Sequence, residues 1–301
     1  MIKQPPYLKK HDKVAIVSPA KKLPKRIDFA VELLKSWGLE VVIGESVYAD
    51  YHQFAGNDQL RTRDIQQHLD NPDIKAIISA RGGYGTIRII DELDFTNFEQ
   101  NPKWFVGFSD ITVMLSHLFQ TMEVQSIHGQ MPYTFEEATP DSLDSLRKAL
   151  FGEPLTYTCH NKTRPYNRAG AAEGVLIGGN LTLLVMLQGS ASEMDYTDKI
   201  LFIEDVAEGP SSVDRMMRML KRSGKLSQLK GLIVGAFNEL PDEQIPFGQS
   251  PEEVIWDLVK DYDYPVCFNF PCGHIEDNKA MVVGTTASLE IKKNGEVSIS
   301  L

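Results

Sequence analysis

A serine, a glutamate and a histidine each follow an apolar segment of this chain, and together these residue types can perform acyl transfer. An apolar run at residues 104–106 breaks at Gly107, Ser109 follows, and a helical apolar pattern begins directly after it. This layout predicts a strand, a tight turn and a helix, with the Ser109 hydroxyl near the first free amides of the helix. Such amides can stabilise an oxyanion, so Ser109 is a candidate nucleophile.

Glu204 and His274 are the candidate partners of that serine. A nucleophilic serine needs a base to take its proton, and the base histidine needs a carboxylate to fix its tautomer. Glu204 directly follows the apolar segment 199–203, and His274 lies shortly after the segment 265–270. His128, at the end of a further apolar segment, is the main rival base.

Each of these residues also has a purely structural interpretation. Serine followed by aspartate is typical of a helix N-cap, which would account for Ser109 without chemistry. Glu204 and Asp205 could cap the helix that follows them or pair with Arg215 and Arg218. His274 could be an ordinary loop histidine, so the three residues are indicative only as a set.

A glycine-rich segment at residues 82–85 is a second candidate element of the site. Glycine lets the backbone approach a ligand closely, so amides here could contact a reacting carbonyl or an anion. The alternative interpretation is a flexible turn. The segment is not a phosphate-binding P-loop, because no Gly-Lys-Ser/Thr follows it.

Composition narrows the class of protein. The 301 residues carry a net charge of −10, which argues against nucleic-acid or anionic-membrane binding. Neither a transmembrane run nor a signal peptide is evident, so a cytoplasmic location is expected. The three cysteines do not form a disulfide framework, and we expect no metal, because Cys267, Cys272 and His274 supply only three clustered ligands.

Strand and helix patterns alternate along the first half of the chain, which predicts a parallel sheet covered on both faces. Ligands bind beyond the carboxyl ends of such strands, where Ser109 and the glycine-rich segment lie. The second half predicts a mixed α/β arrangement that ends in a hairpin at Asn294-Gly295. The predicted domains are residues 1–150 and 168–301, joined by a linker at 151–167.

The predicted strands are 13–18, 39–44, 74–79, 174–180, 199–203, 231–237 and 265–270, besides those before Ser109 and at 126–128. The predicted helices are 24–37, 58–69 with Asp58 as N-cap, 86–93, 141–150, 181–188, 210–223 and 251–262.

The ordered set of motifs resembles the LD-carboxypeptidase family of serine peptidases, which includes muramoyltetrapeptide carboxypeptidases and microcin C immunity-type peptidases. The resemblance covers nearly the whole chain. It is carried by Ala80-Arg81-Gly82-Gly83-Tyr84-Gly85, Phe105-Val106-Gly107-Phe108-Ser109-Asp110-Ile111-Thr112, Ser126-Ile127-His128-Gly129, Gly178-Gly179-Asn180-Leu181, Leu201-Phe202-Ile203-Glu204-Asp205-Val206, Val213-Asp214-Arg215-Met216-Met217 and Gly273-His274.

The resemblance implies an α/β fold, with a flavodoxin-like parallel-sheet domain followed by a mixed α/β domain that has a small β-barrel-like sheet. It implies Ser109 as nucleophile, Glu204 as orienting carboxylate and His274 as base, with the amides of Asp110 and Gly83 as the oxyanion hole. It also implies a homodimer without a metal or other cofactor. The expected reaction releases the terminal D-alanine from a muropeptide tetrapeptide by cleaving an L,D bond, during cell-wall peptide recycling in the cytoplasm.

Several features of the site stay open at this stage. A free terminal carboxylate calls for an arginine, and Arg81, Arg88 and Arg215 are the candidates, with Arg81 and Tyr84 in or beside the glycine-rich segment. Many family members carry Tyr-Arg where this chain has Ser211-Ser212, which leaves a different substrate range or dimer packing open. An immunity-type peptidase that cleaves peptidyl- or aminoacyl-nucleotide toxins and a non-catalytic peptide-binding module are the alternative functions.

Overall fold

The computed structural model describes residues 1–160, 166–239 and 245–301, and over these residues helices and strands alternate around two sheets. The strands are β1 (Lys13–Val17), β2 (Glu40–Ile43), β3 (Ile74–Ser79), β4 (Trp104–Val106), β5 (Ser126–His128), β6 (Thr156–His160), β7 (Gly170–Asn180), β8 (Lys199–Val206), β9 (Gly231–Asn238), β10 (Val266–Phe268), β11 (Met281–Val283), β12 (Thr286–Ile291) and β13 (Glu296–Ser300). The helices are α1 (Asp28–Ser36), α2 (Asp58–Asp70), α3 (Thr96–Gln100), α4 (Thr112–Met122), α5 (Pro140–Phe151), α6 (Leu181–Met186), α7 (Pro210–Arg222) and α8 (Pro251–Val259). Within these described ranges, no helix is long and apolar enough to cross a membrane.

The first sheet has the strand order β11-β5-β4-β3-β1-β2. Its strands β1 to β5 run parallel, as predicted. The central strands β1, β3, β4 and β5 are mostly buried, as is typical of parallel sheets, whereas the edge strand β2 is only partly covered. β11 adds an antiparallel edge, with Met281 opposite His128. The carboxyl ends of β3 and β4 therefore lie next to each other, and the segments that follow them meet at one edge.

The second sheet has the strand order β10-β9-β8-β7-β12-β13-β6. Strands β7 to β10 run parallel to one another. The pairs β7–β12, β12–β13 and β13–β6 are antiparallel. The hairpin predicted at Asn294-Gly295 is confirmed as the β12–β13 pair. The protein is thus a mixed α/β structure with two mixed sheets, and the barrel-like shape of the second sheet stays a prediction.

The stretch 151–167 contains a strand that the sequence analysis did not expect. β6 pairs with β13 along its whole length. Its sequence, Thr-Tyr-Thr-Cys-His, lacks the continuous apolar run by which the other strands were predicted. Residues 161–165 of the same stretch lie outside the described residues. β11, although it belongs to the second half of the chain, joins the first sheet, and the domain boundaries at 150 and 168 stay a prediction.

Two local predictions are wrong. Asn57, not Asp58, caps α2, because the Asn57 side chain accepts from the Leu60 amide at 2.8 Å, while Asp58 pairs with arginines. The helix predicted at 86–93 is two short 3₁₀ turns, Thr86–Arg88 and Ile90–Glu92, interrupted at Ile89 with φ −122°. The side chain of Ile89 is fully buried there, so packing overrides the helical pattern.

Candidate active site

Ser109 lies in the turn between β4 and α4, in a backbone conformation that is rare for a residue with a side chain. Its φ is +63°, in the left-handed region, which strains a non-glycine residue and is typical of functional turns. The capping position of the 3₁₀ turn Ser109–Ile111 is occupied by Phe108, and no side-chain cap is made there. The interpretation of Ser109 as a helix cap therefore does not account for its geometry.

His274 and Glu204 form a hydrogen-bonded pair. The imidazole Nδ1 of His274 lies 2.7 Å from Oε2 of Glu204. Glu204, at the end of β8, is fully buried, whereas one fifth of the His274 side chain is exposed. This places a wholly buried carboxylate behind a histidine that solvent can reach, which is the arrangement in which a carboxylate fixes a catalytic tautomer.

The pair shifts the pKa of each partner toward the charged form. Burial would by itself lower the pKa of His274, but the carboxylates of Glu204, Asp205 and Glu239, with Glu204 the strongest, together hold it above the ordinary value. Burial would likewise raise the pKa of Glu204, yet its attraction to and hydrogen bond with His274 keep it below the usual range. The mutual stabilisation means that Glu204 is ionised whenever His274 takes up a proton.

Gly273 makes room for this pair. Its φ is +111°, and a Cβ placed there would lie 2.7 Å from the Cβ of Glu204 and 2.8 Å from its Oε2. Contacts this short do not occur between real side chains, so a residue with a side chain at 273 would displace Glu204. Glycine at position 273 thus has a steric reason, and that reason is Glu204, which lies 69 positions earlier in the chain.

The turn that carries Ser109 contacts His274 through Phe108. The Phe108 ring and the His274 imidazole lie edge to face, with ring centroids 4.9 Å apart. On the other side of His274, the Asn238 side-chain amide donates to its carbonyl oxygen at 2.7 Å. The structure therefore brings His274 and Glu204 into direct contact and places them beside the residue that precedes Ser109.

The two halves of the chain are also joined at the start of α4. The Asn180 amide donates to the Thr112 hydroxyl at 3.0 Å, and a Cβ on Gly179 would lie 2.6 Å from that same oxygen. Asn180 also donates through its side chain to Asp205 at 2.8 Å. The ends of β7 and β8 are therefore tied to the helix that follows Ser109.

The glycine loop (residues 82–85) lies against Ser109. A Cβ on Gly82 would be 3.0 Å from the Cβ of Ser109 and 3.3 Å from its Oγ. Gly83 has φ +115°, and a Cβ there would strike the Lys21 side chain at 2.5 Å. The backbone of the loop therefore lies beside Ser109.

His128 is a poor candidate for the base. Its ring is fully buried between Phe202 and Phe108, at centroid distances of 5.1 and 5.6 Å. Burial lowers its pKa to about 4, so it stays neutral at physiological pH. The exposed imidazole at the cleft is that of His274.

The alternative partners considered for Glu204 are engaged elsewhere. Arg218 pairs with Asp214 at 2.7 Å, and Arg215 donates to the Ser212 hydroxyl at 3.1 Å. Asp205, directly after Glu204, accepts from both the amide and the hydroxyl of Thr182 at the start of α6. Burial and the neighbouring Glu204 charge raise the pKa of Asp205 to about 6.

The candidate substrate-binding residues lie around the glycine loop. Arg81 donates to the Lys22 carbonyl at 2.9 Å, and its guanidinium lies 4.8 Å from the centroid of the Tyr133 ring. Tyr84 is 41% exposed, so its ring is available to a ligand. Arg88 is held by a two-point ion pair with Asp58.

A cavity of about 640 Å³ adjoins His274 and Phe108. Its lining includes four acidic side chains, namely Glu137, Glu239, Glu276 and Asp277. A cavity of similar size, about 700 Å³, lies along α2 but is lined by none of Ser109, Glu204 and His274. We therefore assign the chemistry to the cleft beside His274.

Comparison with known proteins gives matches over both halves of the chain. Residues 14–129 match the model of the LD-carboxypeptidase N-terminal domain, and residues 173–289 match that of the LD-carboxypeptidase C-terminal domain. A probable murein peptide carboxypeptidase of Bacillus subtilis is 32% identical over 290 residues, covering 95% of this chain and 91% of the relative.

Two further relatives define the structural and functional neighbourhood. The crystal structure of muramoyltetrapeptide carboxypeptidase from Oxalobacter formigenes superposes with a TM-score of 0.85 and 32% identity, covering 96% of this chain and 98% of that one. The microcin C7 self-immunity protein MccF of Escherichia coli is 26% identical over 300 residues, covering 90% of this chain and 86% of the relative.

Proposed function

The chain belongs to the LD-carboxypeptidase family, and from this premise we propose that it releases the terminal D-alanine of muropeptide tetrapeptides by cleaving an L,D peptide bond. In this proposal Ser109 is the nucleophile, His274 the general base and Glu204 the carboxylate that orients His274. The observation that carries the proposal is the buried Glu204–His274 pair beside the strained turn of Ser109.

The reaction would begin when Ser109 Oγ attacks the carbonyl carbon before the terminal D-alanine. His274 takes the hydroxyl proton through Nε2, because its Nδ1 is engaged by Glu204. The resulting imidazolium is stabilised by the ionised Glu204, in keeping with the pKa shifts of the pair. His274 then protonates the leaving amine of D-alanine, and a water molecule activated by the same histidine releases the acyl group from Ser109.

The tetrahedral intermediate carries an oxyanion that needs backbone donors. We assign this role to the amides of Asp110 and Gly83. Asp110 is in the first turn after Ser109, where amides have no partner within the helix. Gly83 follows Gly82, whose position against Ser109 brings the glycine loop to the reacting atoms. Each such donor contributes roughly 100- to 1,000-fold to the rate.

Arg81 is the arginine we propose for binding the terminal carboxylate, with Tyr84 as a neighbouring contact. Arg81 directly precedes the glycine loop, whereas Arg88 is held by Asp58 and Arg215 lies in α7. We further propose that the enzyme acts in the cytoplasm on recycled cell-wall peptides, as a homodimer. These assignments follow the family resemblance, and the position of Arg81 beside the loop supports the first of them.

A direct test uses the tetrapeptide L-Ala-D-Glu-meso-diaminopimelate-D-Ala and its diastereomer with a terminal L-alanine. We expect release of D-alanine from the first peptide, detected with D-amino-acid oxidase, and no release of alanine from the second. Release from neither peptide, or equal release from both, would contradict the proposal.

The similarity to the MccF protein supports a second candidate function, hydrolysis of an aminoacyl-nucleotide toxin analogue. An aminoacyl sulfamoyl adenosine incubated with the enzyme distinguishes the two. Its turnover, without turnover of the tetrapeptide, would favour the immunity-type activity. Membership of a peptidase family whose two domain models both match favours catalysis over the non-catalytic peptide-binding alternative.

A further inference from the structure

The side chain of Asp110, the residue directly after Ser109, is buried and bound to the glycine loop. Only 2% of Asp110 is exposed, and its Oδ2 accepts a hydrogen bond of 2.8 Å from the amide of Thr86, which follows the loop. Burial raises the pKa of this carboxyl, although the amides of Thr86 and Gly85 and the charge of Arg61 oppose that rise. A buried carboxylate is unfavourable unless it is hydrogen-bonded, so these contacts are the reason it is tolerated.

Arg61 holds the same end of the loop from the other side. Its side chain is fully buried; Nη1 donates to the Gly85 carbonyl at 3.0 Å and to the Pro19 carbonyl, and Nη2 pairs with Asp58. A Cβ on Gly85 would lie 2.6 Å from Nη1 of Arg61, and the φ of Gly85 is +149°. The end of the glycine loop is thus held at two neighbouring residues: Gly85 by the buried guanidinium of Arg61, and Thr86 by the carboxylate of Asp110.

We propose that Asp110 and Arg61 are positioning residues, which hold the glycine loop at the distance from Ser109 that acyl transfer requires. Asp110 then contributes twice: its backbone amide is one proposed oxyanion donor, and its carboxylate fixes the segment that carries the other, Gly83. This inference rests on the proposed function, because it assigns a role within that reaction. The loop lies so close to Ser109 that a Cβ added to Gly82 would be 3.0 Å from the Cβ of Ser109.

The test compares the wild type with Asp110→Asn, Asp110→Ala and Arg61→Lys. For each protein we would measure kcat and KM for the tetrapeptide, the free energy of unfolding, and the affinity for a tripeptide boronic acid that forms a tetrahedral adduct with a serine. Asn retains an acceptor oxygen for the Thr86 amide but loses the charge that faces Arg61. Lys retains the charge of Arg61 but not its fork, in which Nη1 donates to two carbonyls and Nη2 pairs with Asp58.

We expect kcat to fall about 10- to 100-fold in Asp110→Ala and Arg61→Lys, and less in Asp110→Asn, because small displacements of donors cost rate. The affinity for the boronic acid should fall in the same proportion, while KM stays nearly constant, since only the tetrahedral state uses the donors. A purely structural role would instead lower the free energy of unfolding and leave the kcat of the folded protein unchanged.

The outcomes separate this inference from the proposed function. A wild type that neither releases D-alanine nor binds the boronic acid overturns the proposed function itself. If the wild type is active and Asp110→Asn and Arg61→Lys have the same kcat and the same affinity for the boronic acid as the wild type, only the positioning role is overturned. If Asp110→Ala does not fold, the other two variants decide the question.

Discussion

The contact between Gly82 and Ser109 predicts that one added methyl group slows catalysis by the folded protein. In Gly82→Ala the new Cβ would lie 3.0 Å from the Cβ of Ser109, 3.3 Å from its Oγ and 3.3 Å from the Phe108 carbonyl. These distances are tighter than ordinary van der Waals contact by a few tenths of an ångström, so Ser109 or the loop must shift by that amount. The φ of Gly82 lies outside the left-handed region, so alanine adds no backbone strain there.

The magnitude follows from these displacements. A misplacement of about 1 Å at a reacting group can cost about 100-fold in rate, so a shift of a few tenths of an ångström should lower kcat about 3- to 10-fold. Overpacking costs about 1–3 kcal/mol and the reduced freedom of the unfolded chain returns part of it, so stability should fall by about 1–2 kcal/mol. The measurements are D-alanine release and urea unfolding.

Gly129→Ala is the matched control for this prediction. Gly129 is also buried, and its nearest contacts to an added Cβ are ordinary, at 3.5 Å from Ile127 and Leu146. The control should retain wild-type kcat. If Gly82→Ala also retained wild-type kcat, or lost it only in proportion to the unfolded fraction, the placement of the glycine loop against the nucleophile would be wrong.

Three further predictions concern the Glu204–His274 pair. Because Glu204 holds the pKa of His274 above its ordinary 6.5 and the base must be neutral, kcat/KM should rise with pH through a midpoint above that value; a midpoint at or below 6.5 would contradict the coupling. Glu204→Gln removes the charge, so this midpoint should move to lower pH while kcat falls roughly 10⁴-fold through loss of the correct tautomer; an unmoved midpoint in the pH–rate profile would show that Glu204 does not act on His274. Gly273→Ala should lower the free energy of unfolding by about 2–4 kcal/mol and abolish activity, because strain adds to the overlap with Glu204. Gly224→Ala is the control for backbone strain, because Gly224 has φ +77° and an added Cβ would meet no atom within 4 Å. Equal unfolding curves for Gly224→Ala and Gly273→Ala would show that overlap with Glu204 does not contribute to the loss of stability.

The strands that could be predicted from the sequence are those with long buried apolar runs, such as β1, β3 and β9. β6 was missed because its alternating, threonine-containing residues become a strand only through pairing with β13, more than a hundred residues later. β11 is three residues long and joins a sheet of the other half of the chain. Whether such segments form strands depends on pairing with distant segments, and the local pattern of residues does not show that pairing.

The same distinction applies to the site. The types of Ser109, Glu204 and His274, and their places after apolar strands, could be recognised in the sequence. The left-handed φ of Ser109, the steric need for Gly273 beside Glu204, and the burial of the Asp110 carboxylate depend on contacts between remote segments. Glycine and aspartate at these places also have common local explanations, so their roles emerge only once the chain is folded.

The identity of the nucleophile is the central claim, and removal of a single oxygen tests it most directly. Ser109→Ala and its matched control Ser116→Ala, a fully buried serine in α4, would be compared with the wild type for D-alanine release from the tetrapeptide. We predict a loss of about 10⁴-fold or more in Ser109→Ala, with near wild-type activity in Ser116→Ala and both variants folded. Release of D-alanine by Ser109→Ala at the wild-type rate would contradict the account.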